Sequence, residues 1–201
     1  MLLIDENPKA IFDNVKELLI IGAKDRNHAF HTPVFSNNSE NNKPNSRIVV
    51  LRKFNQDTLK LNFHTDFRSP KITDLMKNYH TELIFYDFNL KIQLRIETKS
   101  SINNKNKVAK NAWEKTPLVS RKCYLTQKKP SSITSLPEDG ISQHLKEKEP
   151  SKIESEKGYD NFTVVENKII SIDWLYLSSS GHRRLKIKLE NYEPFYQWLI
   201  P

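Results

Sequence analysis

Two hydrophobic periods alternate along this 201-residue chain. Ile11, Val15, Leu18 and Leu19 recur at the three-to-four-residue spacing of a helix with one buried face. Asn7 before Pro8 reads as an N-cap with proline at the first helical position, and Gly22 as the stop. An N-terminal helical segment is therefore expected within residues 1–24. From His28 the period shortens. His28–Ser36 reads as a strand, residues 36–46 as a polar loop, and Arg47–Phe54 as a strand with basic ends and an apolar middle. Asn55–Asp57 makes a turn. Leu59, Leu61 and Phe63 then alternate with Lys60, Asn62 and His64, which predicts a hairpin with one wet and one dry face.

A second helix is predicted from Ser69 and Pro70, with Ile72, Leu75, Met76 and Tyr79 as its apolar stripe. Glu82–Phe88 and Lys91–Ser101 pair as a hairpin around Asn89. A short helix carrying Val108, Ala112 and Trp113 ends before Pro117. Residues 126–158, rich in proline and charge, read as a surface excursion with at most a short helix at Ile141–Lys148. Phe162–Leu177 (broken at Asn167), His182–Leu189 and Tyr196–Ile200 read as closing strands. Six to eight strands in hairpins, with a few peripheral α-helices, predict one mainly β domain over residues 1–201, a small closed antiparallel barrel.

Composition narrows the chemistry. With 37% hydrophobic and 28% charged residues the chain has a globular balance, not a disordered one. Its single cysteine, Cys123, makes neither an intrachain disulfide nor a cysteine-based zinc site, and the six histidines lack ligand spacing, so no metal is expected. There is no GxSxG, no GxGxxG and no P-loop. The apolar runs at Leu18–Ile21 and Leu83–Tyr86 are far shorter than a membrane span needs, and the first seven residues lack the basic start of a signal peptide. The expectation is a cytoplasmic chain without a membrane partner.

The net charge of +8 asks for an anion. Its lysines and arginines are interleaved with acidic residues, which argues against a nucleic-acid partner. One place concentrates anion-binding groups. Thr65, Arg68, Ser69 and Lys71 occupy a strand end, a turn and a helix start, where free amides and a partial positive charge favour phosphate. Hydroxyls and cations add charge-assisted hydrogen bonds. The bland alternative is an ordinary helix cap with solvated basic residues. Arg47 and Arg52, five apart on one strand, would point to opposite faces.

Several segments resemble the pyridoxamine 5'-phosphate oxidase-like flavoproteins. Arg47-Ile-Val-Val-Leu-Arg52 resembles that family's arginine-led strand, and Phe63-His64-Thr65-Asp66 with Ser69-Pro70-Lys71 its phosphate-binding turn. Gln93-Leu94-Arg95-Ile96-Glu97, Gly181-His182-Arg183-Arg184 and Trp198-Leu199-Ile200-Pro201 resemble its later segments. The resemblance implies a split antiparallel β-barrel that binds flavin mononucleotide (FMN) as a homodimer, with the flavin at the subunit interface. It implies that Arg47, Arg52, Thr65, Ser69 and Lys71 hold the ribityl phosphate, with Arg68 compensating for a family arginine that Pro70 replaces. It implies that Val49 and His64 also belong to the cofactor site and that Gln93 approaches the ring. It also implies that Trp113, Ser120 and Arg183 reach a flavin from the partner chain. FMN-dependent oxidation of an unknown small molecule follows, with no side chain assigned as catalytic acid or base.

The authentic oxidases carry an Arg-x-His-x-Arg pattern near the C-terminus. Here the run is Arg183-Arg184-Leu185-Lys186-Ile187, so the likeness is to the uncharacterised branch. Two alternatives keep their place: a related split barrel holding haem or a deazaflavin, and a polyanion-binding module without enzymatic activity.

Overall fold

The computed structural model describes residues 6–190 and 192–201. Residues 1–5, part of the expected N-terminal segment, lie outside the described residues. Helix α1 (Pro8–Lys24) starts where the sequence says it should: Asn7 Oδ1 accepts from the Lys9 and Ala10 amides, and Pro8 needs no such acceptor. Ile11, Val15, Leu18 and Leu19 are all buried on its inner face. Gly22 is not the stop, because the helix runs on to Lys24. Its missing side chain serves packing instead: a Cβ there would lie 2.7 Å from Phe30 Cβ and 2.9 Å from the Phe30 carbonyl carbon.

Among the described residues nine antiparallel strands follow: β1 (Val34–Asn38), β2 (Pro44–Ile48), β3 (Lys53–Asn55), β4 (Lys60–Asp66), β5 (His80–Asp87), β6 (Ile92–Asn104), β7 (Phe162–Tyr176), β8 (Arg183–Glu190) and β9 (Glu193–Leu199). The sheet order is β2-β1-β5-β6-β7-β4-β3. Its two ends belong to one stretch of chain. Val49 and Leu51 donate amide hydrogens to the Pro33 and His31 carbonyls on the β1 side, and Arg52 donates to the Asn62 carbonyl on the β4 side. Residues 49–52 therefore switch partners, the sheet meets itself, and the barrel closes. The single strand expected at Arg47–Phe54 is two strands for this reason.

Strand β7 supplies the split. Its first half pairs with β4, while its second half presents the same edge to β8, which carries β9 outward. The strand does not break at Asn167. That side chain is fully buried and donates to the Leu61 carbonyl at 2.9 Å, and the irregularity lies three residues further on, at Ile170 opposite Glu97/Thr98. His28–Ser36 also differs from expectation, since Ala29–His31 form a 3-10 turn before β1.

The barrel core is built from Phe35, Leu61, Phe63, Leu83, Phe85, Leu94, Ile96 and Ile172, with α1 packed across it. Each such side chain contributes roughly 1.5–3 kcal/mol of burial. Helix α2 (Pro70–Lys77) buries Ile72 and Leu75 but leaves Met76 and Tyr79 exposed. Helix α3 (Lys107–Lys115) covers the start of β7, where Ala109, Trp113, Tyr124, Phe162 and Val164 form a second core. Beyond it come the short α4 (Leu118–Arg121), α5 (Gln143–Lys146) and α6 (Lys152–Glu156). The excursion at 126–158 is thus irregular apart from two short helices, and it folds back on the domain through Arg121, which pairs with Glu156 at 2.8 Å and donates to Ser155 Oγ. Among the described residues no helix is long and apolar enough to cross a membrane.

Candidate functional site

Consecutive residues of a strand face opposite sides. At the end of β4 this separates His64 from Thr65 and creates two neighbouring features.

On the Thr65 side, Lys71 Nζ donates to Thr65 Oγ1 at 2.9 Å and to Ser69 Oγ at 2.8 Å. Both hydroxyls accept from the ammonium, so their own hydrogens remain free to donate. Ser69 makes no side-chain cap to α2. Pro70 has no amide hydrogen and the Ile72 amide donates to the Ser69 carbonyl at 2.9 Å, so the Lys71 amide is the first-turn donor left open among the described residues. Burial pulls the Lys71 ammonium below the usual lysine range, the nearby Arg47 guanidinium pulls it further, and Asp66 opposes both. Arg47 itself is lowered by burial, against the pull of Asp74. Two partly desolvated cations thus stand side by side. Of the carboxylates that act on them, Asp66 is paired with Arg68 at 2.7 Å and Asp74 accepts from Asn37 at 3.1 Å. Like charges held together away from water are costly unless an anion lies between them. Two cations, two hydroxyl donors and the Lys71 amide fit a phosphate dianion.

Arg68 is not part of this cluster. Besides Asp66, its guanidinium donates to the Thr126 carbonyl and Oγ1, both at 3.0 Å, which fastens the root of the excursion to the turn. The structure therefore engages Arg68 with Asp66 and Thr126 rather than with Lys71.

On the His64 side lies a cavity of about 390 Å³. Asn62 and His64 from β4 and Val164 and Glu166 from β7 form its floor; Ala112 of α3, Pro117 and Ser120 wall it, and Arg52 and Lys53 close one side. Burial lowers the His64 pKa to about 4, with Arg52 adding to the shift, so the imidazole is neutral near pH 7. Its ring packs edge-on against Phe162 at 4.8 Å. The positive charge of this cavity comes from Arg52, Lys53 and Lys115.

Arg47 stands with Lys71, whereas Arg52 lines the cavity beside His64; the strand between them is interrupted, so their spacing does not decide this. Val49, between them, is half-buried against the barrel core. Ser120 lines the cavity of its own chain. Trp113 is 2% exposed, its Nε1 donates to Glu156 at 3.2 Å, and its ring is enclosed by Tyr124, Tyr159 and Phe162. In this chain it is a core residue, packed within the second core rather than presented at the surface. Gln93 pairs with Leu175 and Arg183 with Tyr176, whereas His64 pairs with Val164. Eleven residues of β7, about 35 Å of extended strand, separate Gln93 from the cavity, so one chain alone does not unite them. Lys53, Lys115 and Glu166 were missed in the sequence because lone charged residues on a wet face carry no motif.

Residues 16–104 match the family described as pyridoxamine 5'-phosphate oxidase, FMN-binding domain. Among solved structures, a pyridoxamine 5'-phosphate oxidase-related FMN-binding protein from Nostoc punctiforme shares the fold at 17% identity and a TM-score of 0.73, covering 98% of this chain and 99% of that one. PhzG from Burkholderia lata, solved with tetrahydrophenazine-1-carboxylic acid, matches at 13% identity and 0.73, covering 98% and 95%. A Clostridium acetobutylicum protein of the pyridoxinephosphate oxidase family matches at 14% identity and 0.55, covering 94% and 100%. No curated protein matches the sequence. At these identities the solved structures speak for the fold: a mainly antiparallel β split barrel with peripheral helices.

Proposed function

We propose that this chain, a relative by sequence and by fold of the FMN-binding domains of pyridoxamine 5'-phosphate oxidase type, binds FMN and works as an FMN-dependent oxidoreductase. The observation that carries the reading is the Lys71 ammonium near Arg47, held by Thr65 and Ser69 at the start of α2. FMN, when bound, supplies two-electron redox chemistry that no side chain here provides. The chain's own part is to hold the phosphate with those four residues and to orient the ligand. The neighbouring cavity, with Arg52, Lys53 and Lys115 at its rim, favours an anionic substrate. His64, neutral near pH 7, adds shape rather than charge there.

The same reading requires two chains. Gln93 and Arg183 lie together at the far end of β7, out of reach of their own phosphate seat. A homodimer that sets this end against the partner's cavity completes the site. Pyridoxamine 5'-phosphate is not the expected substrate, because Arg184, Leu185 and Lys186 stand where the authentic oxidases carry a histidine between arginines.

The test is a titration of the purified chain with FMN and riboflavin, followed by flavin fluorescence and absorbance. FMN bound much more tightly than riboflavin is the expected result. Equal affinities, or a Soret band in place of flavin absorbance, would overturn the proposal.

A further inference from the structure

Lys71 is held by two hydroxyls, but Arg47 is held from behind by a chain of polar groups that reaches into α2. Arg47 Nη1 donates to Asn37 Oδ1 and, at 2.9 Å, to the Asn45 carbonyl. Asn37 Nδ2 donates to Asp74 Oδ2 at 3.1 Å and to the Asn38 carbonyl at 2.9 Å. Asp74 Oδ1 accepts the Glu40 amide at 3.2 Å. Asn37 and Asp74 are 4% and 8% exposed, so water does not replace these bonds.

We propose that Asp74 and Asn37 are positioning residues that set Arg47 for a ligand phosphate and so make the site select FMN over riboflavin. The inference rests on the FMN reading above. A carboxylate only accepts hydrogen bonds, so Asp74 compels Asn37 to turn its NH₂ group toward α2 and its oxygen toward Arg47. That fixes one edge of the guanidinium. Among the described residues Nη2 has no protein partner, and it remains for the ligand. Asp74 stands one turn beyond Lys71 on α2, so a single helix places both the direct cation and the support of the other. The amide of Glu40, held by the same carboxylate, ties the β1–β2 loop to this frame.

Asp74 also acts on Arg47 through its charge, and the two effects have opposite signs for an anion. If charge alone mattered, removing it would tighten phosphate binding. If orientation matters, Asp74→Asn weakens it, because both carboxylate oxygens accept, from Asn37 and from the Glu40 amide. An amide at 74 must turn its NH₂ group against one of these donors, so the support of Asn37 and of Arg47 behind it is disturbed. The experiment measures FMN and riboflavin affinity of wild type and Asp74→Asn by fluorescence titration. The expected result is a loss of roughly tenfold for FMN, the order of one mispositioned charge-assisted hydrogen bond, with riboflavin unchanged. Asn37→Ser, on a barrel strand away from the helix, should show the same selective loss should Asp74→Asn not fold. Tighter FMN binding, or equal losses for both flavins, would overturn the inference while leaving the phosphate seat standing. A wild-type chain that fails to prefer FMN overturns the seat and this inference together.

Discussion

The Lys71 ammonium donates to Ser69 Oγ across 2.8 Å, so this serine supports a side chain instead of capping its own helix. Both groups then point at the same place. Replacing them together, Ser69→Ala with Lys71→Ala, removes a cation and a hydroxyl from the proposed seat. Each such bond contributes about 1.5–3 kcal/mol, so FMN affinity is expected to fall by about two orders of magnitude or more. Riboflavin binding and the thermal midpoint should move little. Titration with both flavins checks this, and an unchanged FMN affinity removes the phosphate from α2.

His64 makes stability pH-dependent. Its pKa falls from 6.5 to about 4 on folding. Between those values the unfolded chain takes up a proton that the folded chain refuses, so stability drops as pH falls from 6.5 toward 4 and levels off below. A shift of that size corresponds to about 3 kcal/mol. His64→Phe should flatten that part of the profile. Urea unfolding at pH 7, 5.5 and 4.5 gives the comparison, and parallel profiles for both proteins would count against burial as the cause.

Arg68 is expected to govern the excursion. Arg68→Ala removes its bonds to Thr126 and leaves Asp66 buried without its partner. Limited proteolysis should then cut within residues 126–158 several-fold faster, with the barrel core still protected. Identical cleavage rates would show that Arg121 and its partners hold the segment unaided.

Gly22→Ala tests close packing. Alanine ordinarily favours a helix by about 1 kcal/mol over glycine. Here its Cβ would meet Phe30 at 2.7 Å, and overpacking of this kind costs roughly 1–3 kcal/mol. The net effect should be destabilising by denaturant unfolding; a stabilised variant would mean that Phe30 can retreat.

The two-chain site can be tested by complementation. Ser69→Ala/Lys71→Ala and Gln93→Ala/Arg183→Ala each damage one contributor to every site of a homodimer. In a mixed dimer one site carries all four changes and the other none. Mixing followed by refolding should restore FMN binding to about half the sites of the heterodimers, measured after separating them by two affinity tags. Heterodimers that bind no FMN would refute shared sites.

The parts of this molecule that follow from local pattern were legible in the sequence. Asn7, Pro8 and the Ile11–Leu19 stripe define α1, and Ser69, Pro70 and Lys71 define the start of α2, because capping and helical period are short-range. What escaped was set by distant contacts. Nothing local shows that residues 49–52 exchange β1 for β4, or that Phe30 needs Gly22 to be bare. Arg68 looked like a ligand residue because one of its partners, Thr126, lies 58 positions away along the chain. Trp113 could not be told from a stacking platform until Tyr124, Tyr159 and Phe162 closed around it.

The partner exchange between Val49 and Arg52 makes this span a counted length. Both of its ends are pinned to different strands, and each carries a cation that must face a particular side. Inserting or deleting one residue there turns every side chain beyond it to the opposite face. Arg47 would leave Lys71, or Arg52 would leave His64, and the sheet ends would no longer meet. Residue types along Ile48–Leu51 can vary among similar apolar volumes, but the number of residues cannot. A library with randomised side chains in this span should yield folded variants, whereas one that varies its length should yield almost none.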